Sequence, residues 1–200
     1  MPSTEHNVAT QSHSETDEAT ALARLLEVST IVLRQAVDLL DKGLSTDEQL
    51  TVHSRYMPGS TIGKHLRHAR DHFVLLLNAV SSSPPHVLNY DIRSRNTPME
   101  SGRAAARQAI NDTIAQLQKV VPKAKMDDPI TLHAVTPYAQ VMETTFGREL
   151  WFAGLHAIHH WSMIRVIAGE LGITLEESFG FAPSTLVHLE SKAPLGKAKI

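Results

Sequence analysis

The sequence predicts an all-α protein, an up-and-down four-helix bundle with a small β-hairpin before the fourth helix. Four long stretches carry apolar residues at helical steps of three and four. One pair of short β-branched runs lies between the third and fourth of these stretches. The 200 residues are enough for one domain with its own core, and no internal repeat is visible.

The first two helices follow from apolar periodicity and from their start signals. The first is predicted over about 16–42, where Thr16 suits an N-cap and acidic residues occupy the first turn. The second begins after Ser60 or Thr61 and extends to about residue 80. Its apolar stripe consists of Ile62, Leu66, Ala69, Phe73, Leu77 and Val80.

A loop and a capping box precede the third helix. Residues 81–96 contain two prolines and three consecutive serines, which break any periodicity and predict a loop. The segment Thr97-Pro98-Met99-Glu100 is a capping box with proline at the first helical position. The third helix is therefore predicted from there to about Val120, since Pro122 stops it.

A hairpin and a long apolar helix complete the bundle. Residues 130–135 and 141–146 are β-branched runs on either side of a proline turn, and they predict a hairpin. The fourth helix is predicted over about 147–171 and ends at Gly172. A second capping box at 174–177 predicts a short last helix.

The two ends of the chain predict flexible segments around one domain. We expect a disordered leader over 1–15, the bundle over 16–190 and a flexible tail over 191–200. The acidic leader lacks the apolar core of a secretory signal, and no stretch approaches the roughly 18 apolar residues of a membrane span. These features favour a cytoplasmic protein. The terminus Ala198-Lys199-Ile200 resembles the Ser-Lys-Leu peroxisomal address, so the peroxisome is the alternative location.

The composition excludes several classes of function. The formal charge of −2 gives no basic excess for nucleic acid, and we interpret the basic row Lys64, Arg67 and Arg70 as a solvated helix face. Cysteine is absent, which excludes disulfides, thiolate metal ligands and cysteine nucleophiles. The chain has 12 histidines, so a transition-metal site would use histidine and carboxylate ligands. We expect a small-molecule substrate, with neither nucleic acid nor a membrane as partner.

The strongest motif is a pair of histidines on the fourth helix. His156 and His160 are one turn apart and belong to the apolar, core-facing stripe. Burying two imidazoles there is costly unless both find partners. A shared metal ion would satisfy both, and so would separate hydrogen bonds to side chains or carbonyl groups.

The second helix carries candidates for a third ligand. His65, His68 and His72 lie along one flank of its apolar stripe. Bundle cores commonly hold metal sites, and three neutral nitrogens with an open fourth position form a catalytic type of zinc site. We interpret His65 and His72 as solvated or boundary residues. His159 is expected either to contact one of the metal-binding histidines without binding the metal itself, or to serve in packing.

Two motifs resemble those of the DinB-like metalloenzyme superfamily, also called DinB/YfiT-like. TIGKHLRH at 61–68 is similar to its second-helix signature, and LHAIHHWSMI at 155–164 is similar to its fourth-helix signature, histidine-x-x-histidine-histidine. The resemblance implies a four-helix bundle with a metal at one end. The metal ligands that it implies are His68, His156 and His160. Members often carry arginine-glycine-glutamine after the last histidine, where this chain has Trp161-Ser162-Met163.

Two acidic residues are candidates for orienting the ligands. Glu149 precedes His156 by two turns, and Asp71 follows His68 by one turn. Either carboxylate could accept a hydrogen bond from an imidazole and orient it. The alternative for Glu149 is a first-turn acid that favours the helix dipole.

Three residues are candidates for substrate contacts. Arg93 and Arg95 lie in the 81–96 loop and could hold a substrate carboxylate. The alternative is a loop tied down by Asp91 and by helix caps. Trp161 is expected in the wall of the substrate pocket or in the core.

The resemblance implies members that bind a low-molecular-weight thiol at a three-histidine metal and transfer or isomerise groups on it. A divalent ion promotes deprotonation of a thiol or of water at neutral pH, so a metal-activated-water hydrolase is an alternative. A non-catalytic metal-binding or interaction module, paired as a homodimer, and a bundle without metal are further alternatives. Zinc is the first expectation for the metal, followed by nickel or iron. The sequence assigns no catalytic residue.

Overall fold

Four long helices and a small sheet make up the fold, described by a computed structural model for the backbone of residues 5–197 and the side chains of residues 17–197. The all-α class and the four-helix bundle are confirmed. Within the described chain, the α-helices are α1 (Glu5–Asp38), α2 (Ile62–Ser81), α3 (Arg103–Val120), α4 (Phe146–Glu170) and α5 (Pro183–His188). The strands are β1 (His86–Asn89), β2 (Pro129–Val135) and β3 (Ala139–Thr145).

Threonine caps determine where α2 and α4 begin. The hydroxyl of Thr61 accepts a hydrogen bond from the backbone N–H of Lys64 at 3.2 Å, and Thr145 accepts one from Arg148 at 3.4 Å. Both threonines have extended backbone, so the helix cannot continue in the N-terminal direction. The predicted bounds of these two helices are therefore close to the observed ones.

The helices form a ring in which α1 lies diagonally opposite α2, and α3 opposite α4. Contacts between α2 and α3 give their relative direction: Arg70 donates to Thr113 at 3.2 Å, and Gln116 donates to Asn78 at 3.2 Å. The start of α2 also lies against the start of α3, because a Cβ atom on Gly63 would overlap the backbone of the turn before α3. These helices run parallel, which a strict up-and-down order does not allow. The connector between them is long enough to return along the bundle.

The sheet has the strand order β1-β2-β3. The predicted hairpin is confirmed as the antiparallel pair β2 and β3, with Ile130 opposite Thr144. The strand β1 pairs parallel to β2, with His86 opposite Ile130, inside a segment that the sequence predicts as a loop. Four residues after two prolines give no strand signal of their own, so pairing with β2 decides their conformation.

The first helix begins earlier than predicted, at Glu5 rather than near Thr16. Residues 5–15, expected to be part of a disordered leader, contain neither glycine nor proline, so no helix breaker separates them from the predicted start. Residues 1–4 lie outside the described residues. At its other end the helix continues into a π-helical turn, Leu39–Gly43, near the predicted end.

The short last helix is not where the capping box at 174–177 predicts it. Residues 174–176 are irregular, a turn follows at 177–180, and α5 begins at Pro183. The guanidinium group of Arg165, on α4, donates to the carbonyl oxygens of Glu176 at 2.6 Å and Glu177 at 3.0 Å. Tertiary hydrogen bonds therefore engage carbonyl groups that a helix in this segment would have needed.

Part of the predicted flexible tail is packed against the bundle. Leu195 belongs to the hydrophobic core and is 6% exposed. Residues 198–200, which carry the resemblance to a peroxisomal address, lie outside the described part of the chain.

The apolar stripes of the four helices meet in one core between them. Its largest fully buried side chains include Phe73, Phe146 and Trp161. Within residues 5–197, no helix combines the length and the apolar character that crossing a bilayer requires.

Candidate metal centre

The histidines meet where α2 packs against α4. The two helices run antiparallel, so His65 lies beside His160 and His68 lies beside His156. Small side chains at a helix contact allow the two backbones to approach closely. Three fully buried alanines lie one turn from histidines of these two helices: Ala69, Ala153 and Ala157.

Three imidazole nitrogens converge in this contact. The Nε2 atom of His156 lies 3.3 Å from Nε2 of His68 and 3.1 Å from Nε2 of His160. The ligand atoms of all three lie within 4.8 Å of one another. Tetrahedral zinc with bonds of about 2.0–2.1 Å holds its ligand nitrogens about 3.3–3.4 Å apart. Two of the separations within the predicted trio, from His156 to His68 and to His160, are therefore close to those of ligands on one shared ion.

Burial makes these imidazoles weak bases. Burial, and next the nearby histidines, lower the pKa of His68 to about 4, that of His156 to about 3 and that of His160 to about 2. Within residues 17–197, no carboxylate pairs with any of the three. Metal ligation requires neutral imidazoles, so at neutral pH a cation would not compete with protons.

Two further histidines belong to the same group, although we had interpreted them as boundary residues. The Nδ1 atom of His65 lies 2.7 Å from Nδ1 of His160. His72 is 5% exposed, donates from Nδ1 to the carbonyl oxygen of His68 at 3.1 Å, and lies 3.9 Å from His156 between ring centroids. The sequence contained one indication of this: His65 and His72 are at i−3 and i+4 from His68, a spacing that puts all three on one face of the helix. We call the five residues the histidine cluster: His65, His68, His72, His156 and His160.

Tyr90 and Glu149 form one wall of the histidine cluster. The ring of Tyr90 stacks on His72 at 4.5 Å, and its hydroxyl donates to Glu149 at 2.9 Å. Glu149 is 3% exposed and also accepts a hydrogen bond from Thr144 at 2.8 Å. Within residues 17–197 its carboxylate holds Tyr90 and Thr144 and no imidazole, and Glu149 lies in the first turn of α4, as the alternative prediction had it. Burial raises the pKa of Tyr90, so its hydroxyl stays a neutral donor.

Asp71 belongs to a different polar group, on another face of α2. Arg67 donates to Asp71 at 3.3 Å and to Glu100 at 3.2 Å, and Arg70 lies 3.6 Å from Asp71. We call Arg67, Asp71 and Glu100 the ion cluster. The prediction that Asp71 orients a metal ligand is therefore wrong, because the arginines of its own helix engage it.

Trp161 lies in the core, which is one of the two positions that the sequence predicts for it. It is fully buried, its Nε1 donates to the carbonyl oxygen of Val32 at 2.9 Å, and its ring stacks on Phe179. One turn of α4 thus carries His160 towards α2 and Trp161 towards α1. A helix pattern alone does not separate these two faces when both are apolar.

The remaining predicted residues lie at the rim. His159 is exposed, with its ring 5.2 Å from that of His160. Arg93 is exposed, and its positive charge contributes to lowering the pKa of His68 and the pKa of His72. It is therefore near enough to the histidine cluster to act on it electrostatically. Arg95 is exposed and makes no hydrogen bond or ion pair within residues 17–197.

Comparison with known proteins identifies the family. The sequence profile of the DinB superfamily matches residues 25–164, which include the three converging histidines. Because this match covers more than half of the chain, the protein belongs to the DinB superfamily. A Rhizopus delemar protein named FK506-binding protein 5 is 34% identical over 174 residues, which are 84% of this chain and 38% of that protein. The chain therefore spans well under half the length of this relative. No solved structure matches the chain.

Proposed function

We propose that this member of the DinB superfamily binds one divalent metal ion and acts as a thiol-dependent transferase or isomerase on a small molecule. One observation carries the proposal: three weakly basic imidazoles bring their ligand nitrogens within 4.8 Å of one another, and no described carboxylate pairs with them. Nitrogen ligands of this kind suit zinc first, and nickel or iron next. When bound, such an ion lowers the pKa of a thiol that it holds.

The chain itself explains why the thiol would come from outside. None of the 200 residues is cysteine, so no side chain can place a thiolate on the metal. Three histidines leave the fourth tetrahedral position for a small molecule. A cosubstrate with a thiol group is the ligand that these two facts favour.

The residues around the histidine cluster suit an anionic small molecule. Tyr90 and Phe152 present rings next to His72 and His156. Arg93 lies on the same side and is exposed, so its guanidinium group can pair with a carboxylate of the cosubstrate. Arg93 is therefore our first choice among the two loop arginines.

Metal content is the first test of this proposal. Purified protein should carry about one divalent ion per chain, and X-ray fluorescence should identify it. His156→Ala and His160→Ala should each abolish retention, whereas His188→Ala, at an exposed position far along the chain, should not. Full occupancy in a variant without His68, His156 and His160 would refute the assignment.

Thiol binding is the second test. Cobalt-loaded protein should show new near-ultraviolet and visible bands when glutathione is added, because sulfur joins the metal. Arg93→Ala should weaken the apparent affinity for the thiol without loss of cobalt, and Arg95→Ala serves as the matched control. An unchanged spectrum with every small thiol, while cobalt stays bound, would favour metal-activated water or a non-catalytic module instead.

A further inference from the structure

His65 differs from the three predicted ligands in how it meets the histidine cluster. Its Nδ1 atom lies 2.7 Å from Nδ1 of His160, which is a hydrogen-bond distance. Ligands on one tetrahedral zinc lie about 3.3–3.4 Å apart, as Nε2 of His68 and Nε2 of His156 nearly do at 3.3 Å. The distance therefore places His65 behind His160, on the nitrogen that faces away from the other ligands.

This contact constrains the proton on His160. Its Nε2 faces His156 at 3.1 Å, and a nitrogen that ligates a metal carries no proton. A neutral imidazole has one N–H group, so the proton of a ligating His160 is on Nδ1. That N–H then donates to Nδ1 of His65, which must be unprotonated and accept it. In the reverse arrangement His65 donates, His160 is protonated on Nε2, and it cannot bind the metal.

The other nitrogen of His65 indicates that this residue is not present for stability. Its Nε2 atom is buried and has no hydrogen-bond partner within residues 17–197. A buried polar atom without a partner destabilises the fold whether it carries a proton or not. Leucine at this position would remove this nitrogen but would leave Nδ1 of His160 without its partner. The contact at Nδ1 is therefore the feature that accounts for histidine.

We infer that His65 is a positioning residue that selects the metal-binding tautomer of His160 by accepting a hydrogen bond from its Nδ1–H. This inference rests on the proposed metal site. It assigns no proton transfer to His65 and no contact with substrate. Hydrogen bonds of this kind behind a ligating histidine fix its ring and its tautomer, and their loss typically lowers metal affinity by about 10–100-fold.

The test compares His65→Leu with His65→Gln in the full chain. Zinc affinity is measured by competition with a chromophoric chelator. We expect His65→Leu to bind zinc about 10–100-fold more weakly than the wild type. His65→Gln, whose carbonyl oxygen can accept the same hydrogen bond, should recover part of the loss. The metal-free stability of His65→Leu should be close to that of the wild type, because the substitution removes the unpartnered Nε2 of His65 and leaves Nδ1 of His160 without its partner. A merely structural role would instead lower the metal-free stability and leave the zinc affinity unchanged.

Nitrogen-15 NMR of the zinc-loaded protein supplies a second measurement. His160 should show a protonated Nδ1 and a metal-bound Nε2 in the wild type, and the Nδ1–H signal should exchange faster in His65→Leu. Equal zinc affinity and an unchanged Nδ1–H signal in His65→Leu would overturn the inference and leave the metal site in place. A wild type that binds no divalent metal would instead overturn the proposed function.

Discussion

The helix α2 carries two buried polar clusters on different faces, and they are built in opposite ways. In the ion cluster, Arg67 lies between two carboxylates, 3.3 Å from Asp71 and 3.2 Å from Glu100. Each charge therefore has a partner within the chain. In the histidine cluster every side chain is an imidazole, and no carboxylate within residues 17–197 pairs with the three converging ligands. The ion cluster thus contains both cationic and anionic side chains, whereas the histidine cluster contains no anionic side chain.

This difference separates a structural polar site from a candidate ligand site. A buried group whose partners are present holds its surroundings in place, whereas a buried group without them destabilises the fold until a ligand arrives. The sequence alone did not distinguish them. We interpreted Arg67 as part of a solvated face, yet it is 6% exposed and belongs to the ion cluster. The four predictions that follow test whether the two clusters differ in this way.

The largest effect is expected when the ion cluster loses its cation. Arg67→Met leaves the carboxylates of Asp71 and Glu100 in a nearly buried position without a partner. Breaking a buried pair in this way costs about 3–5 kcal/mol of unfolding free energy. Urea unfolding followed by circular dichroism would measure it. A loss below about 1 kcal/mol would show that the ion cluster is solvated.

Metal binding should stabilise the protein only through the histidine cluster. Zinc at about 100 times its dissociation constant should raise the unfolding free energy by about 2.7 kcal/mol. His156→Leu and His160→Leu should abolish this gain. Without metal, both variants should lose less unfolding free energy than Arg67→Met, because each removes a neutral imidazole that contacts other neutral imidazoles and leaves no buried charge without a partner. If metal-free His156→Leu were as unstable as Arg67→Met, the proposed contrast would be wrong.

The metal-free protein should lose stability in mild acid. In the unfolded chain the histidines have a pKa of about 6.5. In the folded chain, burial lowers the pKa of His68 to about 4 and that of His160 to about 2. Below pH 6.5 the unfolded chain therefore takes up protons that the folded chain does not, and the unfolding free energy falls as the pH falls towards 4. Urea unfolding at a series of pH values measures this slope. The double variant His156→Leu/His160→Leu should have a shallower slope, and an equal slope would contradict the assignment.

The smallest effect is expected at the edge of the ion cluster. Arg70 lies 3.6 Å from Asp71, and its side chain is 27% exposed. Exposed pairs contribute about 0.2–1 kcal/mol, so Arg70→Met should lower the unfolding free energy by no more than about 1 kcal/mol. Thermal unfolding of Arg70→Met and Arg67→Met in the same buffer compares the stability losses of the two variants. A loss equal to that of Arg67→Met would mean that Arg70 carries the same share of the cluster.

The bounds of α2 and α4 and the three converging histidines could be predicted because the signals are local. The caps Thr61 and Thr145 act on backbone groups three residues away. The spacing of His156 and His160 fixes both rings on one side of a single helix. The family resemblance then supplied His68, which spacing alone did not separate from its neighbours.

Long-range contacts decided what could not be predicted. The strand β1 exists through its pairing with β2, and Arg165 on α4 holds the segment at 174–177 in a non-helical conformation. His65 was interpreted as a boundary residue because its partner, His160, lies 95 positions away. None of these partners leaves a periodic signal near the residue that it affects.

The sequence by itself determined the bounds of α2 and α4, the absence of thiol ligands and the pair of histidines on α4, because each depends on residue type or on contacts within a few turns. Only the tertiary structure decided which buried polar side chains have a partner of opposite charge or a hydrogen-bond donor beside them. It gave Arg67 two carboxylates and Glu149 a tyrosine, whereas within residues 17–197 it gave the histidine cluster no carboxylate partner. The physical reason is that the cost of a buried polar group depends on the partner across the helix contact, and packing chooses that partner.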